Sequence, residues 1–354
     1  MAVYFVAKRD CLLKYTLLDA VIRAAVHRDV RGRRTSRLYK KHLYDAQYVR
    51  GIAGRVQGNP GRGQMLNIGK ILFPVDFSER CLAIVPYVIA IAKRYKAEVI
   101  LFHVLNPVYA IPAAGIAAPA LMPAPQWVFT EKTNELEKFA ASELRDHPVR
   151  RLVYEGDPEV QIVDFARAES VQLTVIPTHG YGVLRRYLIG SVAAKVLDDV
   201  ACPVLTGAHM ASETLKPNLK FANVVCAVDL GPQSQNTLVW ASQLANDFDA
   251  RLSIVHVIPA IGHGLSTDFS SRLKQKWENM AREEIEKLRR EGIVETVSVF
   301  IQEGDVAHAV SSFAHSIAAD LVIIGRGAHD HGTGRLRTNA YAIIRQALCP
   351  VLSV

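Results

Sequence analysis

At 354 residues, half of them apolar and about a fifth charged, the chain is long enough for two globular domains with full cores. Its formal charge of +8 suggests a polyanion binder, but residues 1–70 hold 15 Lys and Arg against 4 Asp and Glu, a net of +11, and the remainder stands at −3. The globular part is therefore close to neutral, which argues against nucleic acid as its partner and leaves any such attraction to the N-terminal arm.

Residues 1–67 combine short apolar runs with Arg31-Gly-Arg33-Arg34 and Lys40-Lys41 and end in a Gly-rich stretch. Three readings stand: a basic arm for nucleic acid or acidic headgroups, a disordered extension, or translation starting at Met65, which is favoured because a domain needs only a few leader residues. No signal peptide is visible, since Lys8, Arg9, Asp10 and Lys14 interrupt its would-be apolar region.

From residue 71 onward, short β-branched runs alternate with helical periodicity. Strands are predicted at 71–75, 98–104, 149–154, 173–177 and 203–206, then at 223–228, 252–257, 296–301, 321–325 and 350–354. Helices are predicted over Ser78–Tyr95, Thr130–Arg145, Glu159–Glu169, Ser191–Asp199 and Arg272–Glu291. The apolar stretch Tyr109–Phe129 contains Pro112, Pro119, Pro123 and Pro125, so it reads as loop and not as a membrane span. Residues 106–126 are expected to form a mobile cover over a site in the first half.

The second half echoes the first. Ile71–Asp76 recurs as Val224–Asp229, and Leu101–Val104 as Ile254–Val257, both offset by 153; Glu155-Gly156-Asp157 returns as Glu303-Gly304-Asp305, offset by 148; Cys202–Leu205 returns as Cys349–Leu352, offset by 147. Matches in order with a slowly drifting offset mean one duplicated domain, copy one over 68–210 and copy two over 219–354, with Met210–Pro217 as linker. Continuous apolar strands between helices imply an α/β fold: two tandem, doubly wound, five-stranded parallel sheets of Rossmann-like type, with ligands at the carboxyl ends of the strands where strand order reverses. Cys11, Cys81, Cys202, Cys226 and Cys349 form no C-x-x-C pair and no zinc spacing, which fits a reducing compartment and makes the cytoplasm the expected location.

Pro177-Thr178-His179-Gly180, nine residues, then Gly190-Ser191 follow a strand and open a helix. Glycines let a backbone approach phosphate oxygens, and a helix amino end offers free N–H groups and positive dipole. Ser191 could cap the helix or donate to phosphate, and Arg185 and Arg186 lie in the loop. A tight turn with a serine cap is the competing reading. Asp76 ends the first strand beside the expected switch point, where an acidic residue commonly bonds a ribose; Asp76 or Ser78 could also cap the next helix.

The Pro-Val-Asp-Phe-Ser strand end, the His-Val at 103–104, the Gly-Asp-Pro turn and the Thr-His-Gly…Leu-Ile-Gly-Ser…Cys-Pro-Val-Leu run resemble the universal stress protein family, over residues 70–354. The resemblance implies an adenine nucleotide alpha hydrolase-like sheet, pairing of two domains through their last strands into an intramolecular pseudo-dimer, room for a homodimer or another protein partner, and ATP as ligand, with or without Mg2+. It assigns nucleoside contacts to Pro74, Val75, Asp76 and Val104 and phosphate contacts to Gly180, Gly190, Ser191 and Val192. Pro177 departs from the family's first glycine and removes one N–H donor, which weakens the site without abolishing it. Copy two departs further: Gly325 fits, but Ala328 and Thr338-Asn339 replace the later glycines and serine. Its loop alternates Gly325, Gly327, Gly332 and Gly334 with Arg326, Arg335 and Arg337, and is expected to bind another anion or to dock against its neighbour. His329-Asp330-His331 is read as polar loop rather than metal site.

No lysine-bearing phosphate loop, nucleophile elbow or Ser/His/Asp set supports catalysis. Slow ATP hydrolysis or self-phosphorylation at Ser191 or Ser78 follows from the resemblance alone. The expectation is a cytoplasmic stress-response binding module whose first copy responds to ATP and whose second completes the pair, with a nucleotide-independent interaction protein as the alternative.

Overall fold

A computed structural model describes residues 66–110, 120–122, 124–178, 189–207, 219–261, 267–290, 297–326 and 338–354. The N-terminal arm and the loops over 179–188 and 327–337 are among the residues outside them.

Copy one runs β1 (Lys70–Pro74), α1 (Glu79–Tyr95), β2 (Glu98–Leu105), β3 (Val108–Ala110), β4 (Ala120–Met122), α2 (Gln126–Lys138), β5 (Val149–Glu155), α3 (Pro158–Ala168), β6 (Leu173–Pro177), α4 (Ser191–Asp199) and β7 (Val204–Gly207). Copy two runs β8 (Asn223–Ala227), α5 (Ser234–Asp247), β9 (Arg251–Ile258), α6 (Thr267–Leu288), β10 (Ser298–Glu303), α7 (Val306–Ser316), β11 (Leu321–Ile324), α8 (Thr338–Gln346) and β12 (Val351–Ser353).

Ten of the strands form one sheet in the order β10-β9-β8-β11-β12-β7-β6-β1-β2-β5. Within each copy's five strands of this sheet the pairing is parallel, and order reverses between β1 and β6, or β8 and β11, which defines the two switch points. The copies join through β12 and β7, antiparallel, with Leu352 opposite Leu205. Those two leucines occupy equivalent positions, so an approximate two-fold axis passes between them.

Strand burial alternates between the two faces of the sheet. Ile71, Phe73, Val99, Leu101 and Val175 pack on the α1 side, whereas Leu72, Ile100, Phe102 and Ile176 pack on the α3 and α4 side. Near-continuous apolar strands are thus required by a sheet covered on both faces. The turn after the third strand of each copy needs its glycine: Gly156 has φ 144° and Gly304 φ 124°, and Asp157 and Asp305 then cap α3 and α7.

Three elements differ from the sequence reading, among them α6, expected over Arg272–Glu291 and found over Thr267–Leu288. Residues 106–126 contain the antiparallel pair β3–β4, which the prolines had disguised as loop. The helix expected over Thr130–Arg145 starts at Gln126 and gives way after Lys138 to turns, where Ala140 takes φ 48°.

Candidate functional site

The switch point of copy one is built by strand ends. Pro74 closes β1, and Val75 continues it by donating its N–H to Phe102 O (2.9 Å). Asp76 is exposed beyond that edge. Its Oδ1 accepts from Ser78 N (2.9 Å) and from the Cys81 thiol (2.9 Å), so one carboxylate oxygen is held against the start of α1. Ser78 is the N-cap of α1, its Oγ accepting from Cys81 N, and it is buried. That settles the capping question in favour of Ser78 and makes its hydroxyl a poor phosphorylation target.

Copy two repeats the device with a different donor. Asp229 Oδ1 accepts from Gly231 N (2.9 Å) and from the Ser234 hydroxyl (3.1 Å), and Ser234 occupies the position of Cys81. Burial pushes the Cys81 thiol well above its ordinary range, and the neighbouring Asp76 carboxylate adds to the shift, so it acts as a proton donor and not as a nucleophile.

His103 and His256 are equivalent and do the same work. Each ring donates Nδ1–H to a strand-end carbonyl, Val75 O (2.7 Å) and Val228 O (2.8 Å). Burial holds both below the usual histidine range, partly opposed by those backbone bonds. They are neutral struts.

On the other side of the switch point, Thr178 follows β6 and is buried, its Oγ1 donating to Gly207 O (3.4 Å). Gly190 N donates to Thr178 O (2.8 Å), which returns the loop to the carboxyl edge of the sheet and sets the start of α4 there. Gly190, not Ser191, is the N-cap of α4, with φ −63° and no side-chain capping bond. Ser191 is exposed at the first helical position, so its hydroxyl is not the cap. A helix amino end without a side-chain cap leaves the first-turn N–H groups, including those of Ser191 and Val192, without an intrahelical acceptor.

Gly190 itself has an ordinary backbone conformation, and among the described residues a Cβ built there would meet only Thr178 O, at 3.6 Å. Nothing among the described residues demands glycine at this place. Gly325, in copy two, is the reverse case: a Cβ there would lie 2.6 Å from Thr237 Oγ1, so its glycine is required by packing against α5. Pro74, Val75 and Asp76 stand at the end of β1 and Val104 on its neighbour β2, while Gly190, Ser191 and Val192 open α4 after β6, the strand on the other side of β1. Gly180 lies outside the described residues, as do Arg185, Arg186 and the loop over 327–337 with its glycines, arginines and His-x-His.

The helices α4 and α8 bury equivalent positions 147 apart: Ala193, Val196, Leu197 and Val200 against Ala340, Ile343, Ile344 and Ala347. In that register Thr338 stands with Ser191, and Arg337 with Gly190. In the sequence Arg337 precedes Thr338 as Gly190 precedes Ser191, one place earlier than the motif spacing indicates.

Arg326 has a role that sequence left open between anion binding and docking. It is 9% exposed, and its guanidinium donates to Val200 O, to Cys202 O (2.8 Å) and, through Nε, to Ser353 Oγ (3.3 Å). Burial lowers its pKa to about 10, which leaves it charged at neutral pH. It docks against copy one. Among the described residues no group of three or more His, Cys, Asp or Glu is placed to hold a metal ion, and no helix is long and apolar enough to cross a membrane.

The sequence profile of the universal stress protein family matches the chain twice, over residues 67–206 and 220–354. The chain belongs to the universal stress protein family. Among curated universal stress proteins, it is 31% identical over 141 residues to universal stress protein A homolog 1 of Coxiella burnetii, an alignment spanning 38% of this chain and 97% of that protein. It is also 31% identical over 141 residues to a universal stress protein of Methanocaldococcus jannaschii, spanning 38% of this chain and 79% of that one. Over both copies, a universal stress protein from Archaeoglobus fulgidus has the same fold, with a TM-score of 0.56 at 23% identity, covering 81% of this chain and 96% of that one. Each curated alignment thus has the length of one copy, whereas the solved structure spans the tandem.

Proposed function

We propose that copy one binds ATP at its switch point and that this universal stress protein works as a nucleotide-responsive binding module in the cytoplasm. The observation that carries the reading is Gly190: a glycine that neither its backbone conformation nor packing among the described residues requires, at a helix amino end with no side-chain cap, after the strand that neighbours β1. Phosphate oxygens need that open approach to backbone N–H groups, and the positive end of the helix dipole favours their charge.

In this reading Pro74, Val75 and Val104 line the nucleoside, Asp76 accepts from the ribose with its remaining carboxylate oxygen, and Gly180, Gly190, Ser191 and Val192 meet the phosphates. Mg2+ would be held largely by the phosphates and water. Pro177, buried as the last residue of β6, offers no N–H, so affinity falls below that of a site with glycine there. Copy two contributes no second nucleotide site and serves as the paired partner; a homodimer or a further protein partner would use the surfaces left exposed. No step of catalysis is assigned, since Ser78 is buried as a cap and both histidines are struts.

Native mass spectrometry of the full chain with millimolar ATP tests the proposal. One adenine nucleotide per chain is expected. A chain that carries none supports instead an interaction protein with two vestigial sites.

A further inference from the structure

Much of the seam between the copies obeys the approximate two-fold axis. Thr206 Oγ1 donates to Val351 O (3.1 Å), and its counterpart Ser353 Oγ donates to Val204 O (3.3 Å). Among the described residues, two contacts that break the symmetry are directed at α4, whereas a third, Tyr95 Oη donating to Asp247 Oδ2 (2.6 Å), lies elsewhere between the copies. Tyr341, on α8, donates its hydroxyl to Ala194 O (3.2 Å) in the first turn of α4. Arg326 donates to Val200 O and Cys202 O at the other end of that helix. Copy one cannot return either bond: the counterpart of Tyr341 is Ala194, which has no hydroxyl, and that of Arg326 is Thr178, whose short side chain bonds Gly207 O.

We propose that copy two is a clamp on the candidate phosphate-binding helix, with Arg326 and Tyr341 as positioning residues that hold α4 at both ends. The inference rests on the reading of copy one as the nucleotide site. A helix of nine residues has little stability of its own, so its position is fixed by what packs on it. Its carbonyl end needs donors, and the Arg326 guanidinium supplies one to the C-cap carbonyl Val200 O and a second to Cys202 O in the turn beyond, placing positive charge at the negative end of the dipole. At its amino end the helix carries no side-chain cap, because a cap there would occupy the groups that meet phosphate. Copy two has lost the residues of its own phosphate cradle, and the residue that follows β11 now serves its neighbour. Coupling of this kind is reciprocal: nucleotide in copy one tightens the seam, and a tighter seam favours nucleotide.

The test uses the full chain and titrates ATP by calorimetry, with denaturant stability measured in parallel. Arg326→Met keeps the aliphatic length and removes the donors; Tyr341→Phe removes one hydroxyl; Thr206→Val removes a symmetric seam bond not aimed at α4. The clamp predicts a dissociation constant raised about fivefold or more in Arg326→Met, the low end for coupled sites. Arg326→Lys should recover part of the loss, Tyr341→Phe should move in the same direction, and Thr206→Val should bind as the unsubstituted chain does even where its stability falls equally. Wild-type affinity in Arg326→Met, or equal weakening in Thr206→Val, overturns the clamp. If Arg326→Met does not fold, wild-type affinity in Tyr341→Phe overturns it instead. Failure of the unsubstituted chain to bind ATP overturns the nucleotide reading itself, and the clamp with it.

Discussion

Replacing Gly190 with serine separates what the fold needs from what the ligand needs. Gly190 is the N-cap of α4 at φ −63° and ψ 154°, an extended conformation that serine adopts without strain. The new Cβ would sit 3.6 Å from Thr178 O, in ordinary contact. A serine N-cap is better than glycine by a few tenths of a kcal/mol. Restricting the unfolded chain adds roughly 0.4–1 kcal/mol, as for other glycine replacements at compatible positions. Stability should therefore rise by about 0.5–1 kcal/mol, read as a later urea midpoint with an unchanged slope. Nucleotide binding should move the other way. The serine oxygen would accept from the N–H groups meant for phosphate, and the loss of one charged hydrogen bond costs roughly 1.5–3 kcal/mol, about ten- to a hundredfold in affinity. Gly190→Ser that binds ATP as the unsubstituted chain does would show that phosphate is not held at α4. Destabilisation by more than about 1 kcal/mol would show that the fold needs this glycine after all.

Three further outcomes follow from the same geometry. Gly325→Ala should destabilise by about 1–3 kcal/mol through its clash with Thr237 Oγ1, and Thr237→Ala, which leaves the N-cap carbonyl Gln233 O still bonded by the residue 237 N–H, should recover much of that in a double-mutant cycle; additive losses would refute the packing argument. His103 and His256 are held neutral, below the unfolded value of 6.5, so the unfolded chain takes up protons first and stability present above about pH 6.5 is lost as pH falls toward the folded values. Glu169, bonded by Arg150 and Lys70 and held at about 2, adds a second loss between about pH 4.5 and 2; urea midpoints that stay flat from pH 7.5 to 3 would contradict both. Cys81 should resist thiol reagents in the folded chain and react on unfolding, and Cys81→Ser should be tolerated, since Ser234 already does the same work for Asp229; fast labelling of native Cys81 would refute its assignment as a buried donor.

Much of this architecture was legible because duplication and sheet burial both leave periodic marks. A strand covered on two faces must be apolar throughout, so Ile71–Val75 and Val224–Val228 announced themselves and their order implied the switch point. The pair β3–β4 did not, because its strands are three residues each and the prolines around them outweigh any alternation. Gly190 as the cap was hidden by Ser191, the better capping residue one place on. Arg326 could not be assigned from sequence at all: its acceptors are main-chain carbonyls more than a hundred positions away, and a backbone carbonyl carries no sequence signature. The shared role of His103 and His256 was readable from position, yet its chemistry, an Nδ1–H donated to Val75 O or Val228 O, required coordinates.

The central claim is that one copy, and that copy alone, holds nucleotide. Photolabelling the full chain with 8-azido-ATP, followed by peptide mapping, tests it most directly. Label confined to the peptides carrying Pro74–Asp76 and Val104, and competed away by ATP, is the predicted result. Label on the equivalent strand ends of copy two, around Val228, Asp229 and Val257, or label that ATP does not displace, would contradict it.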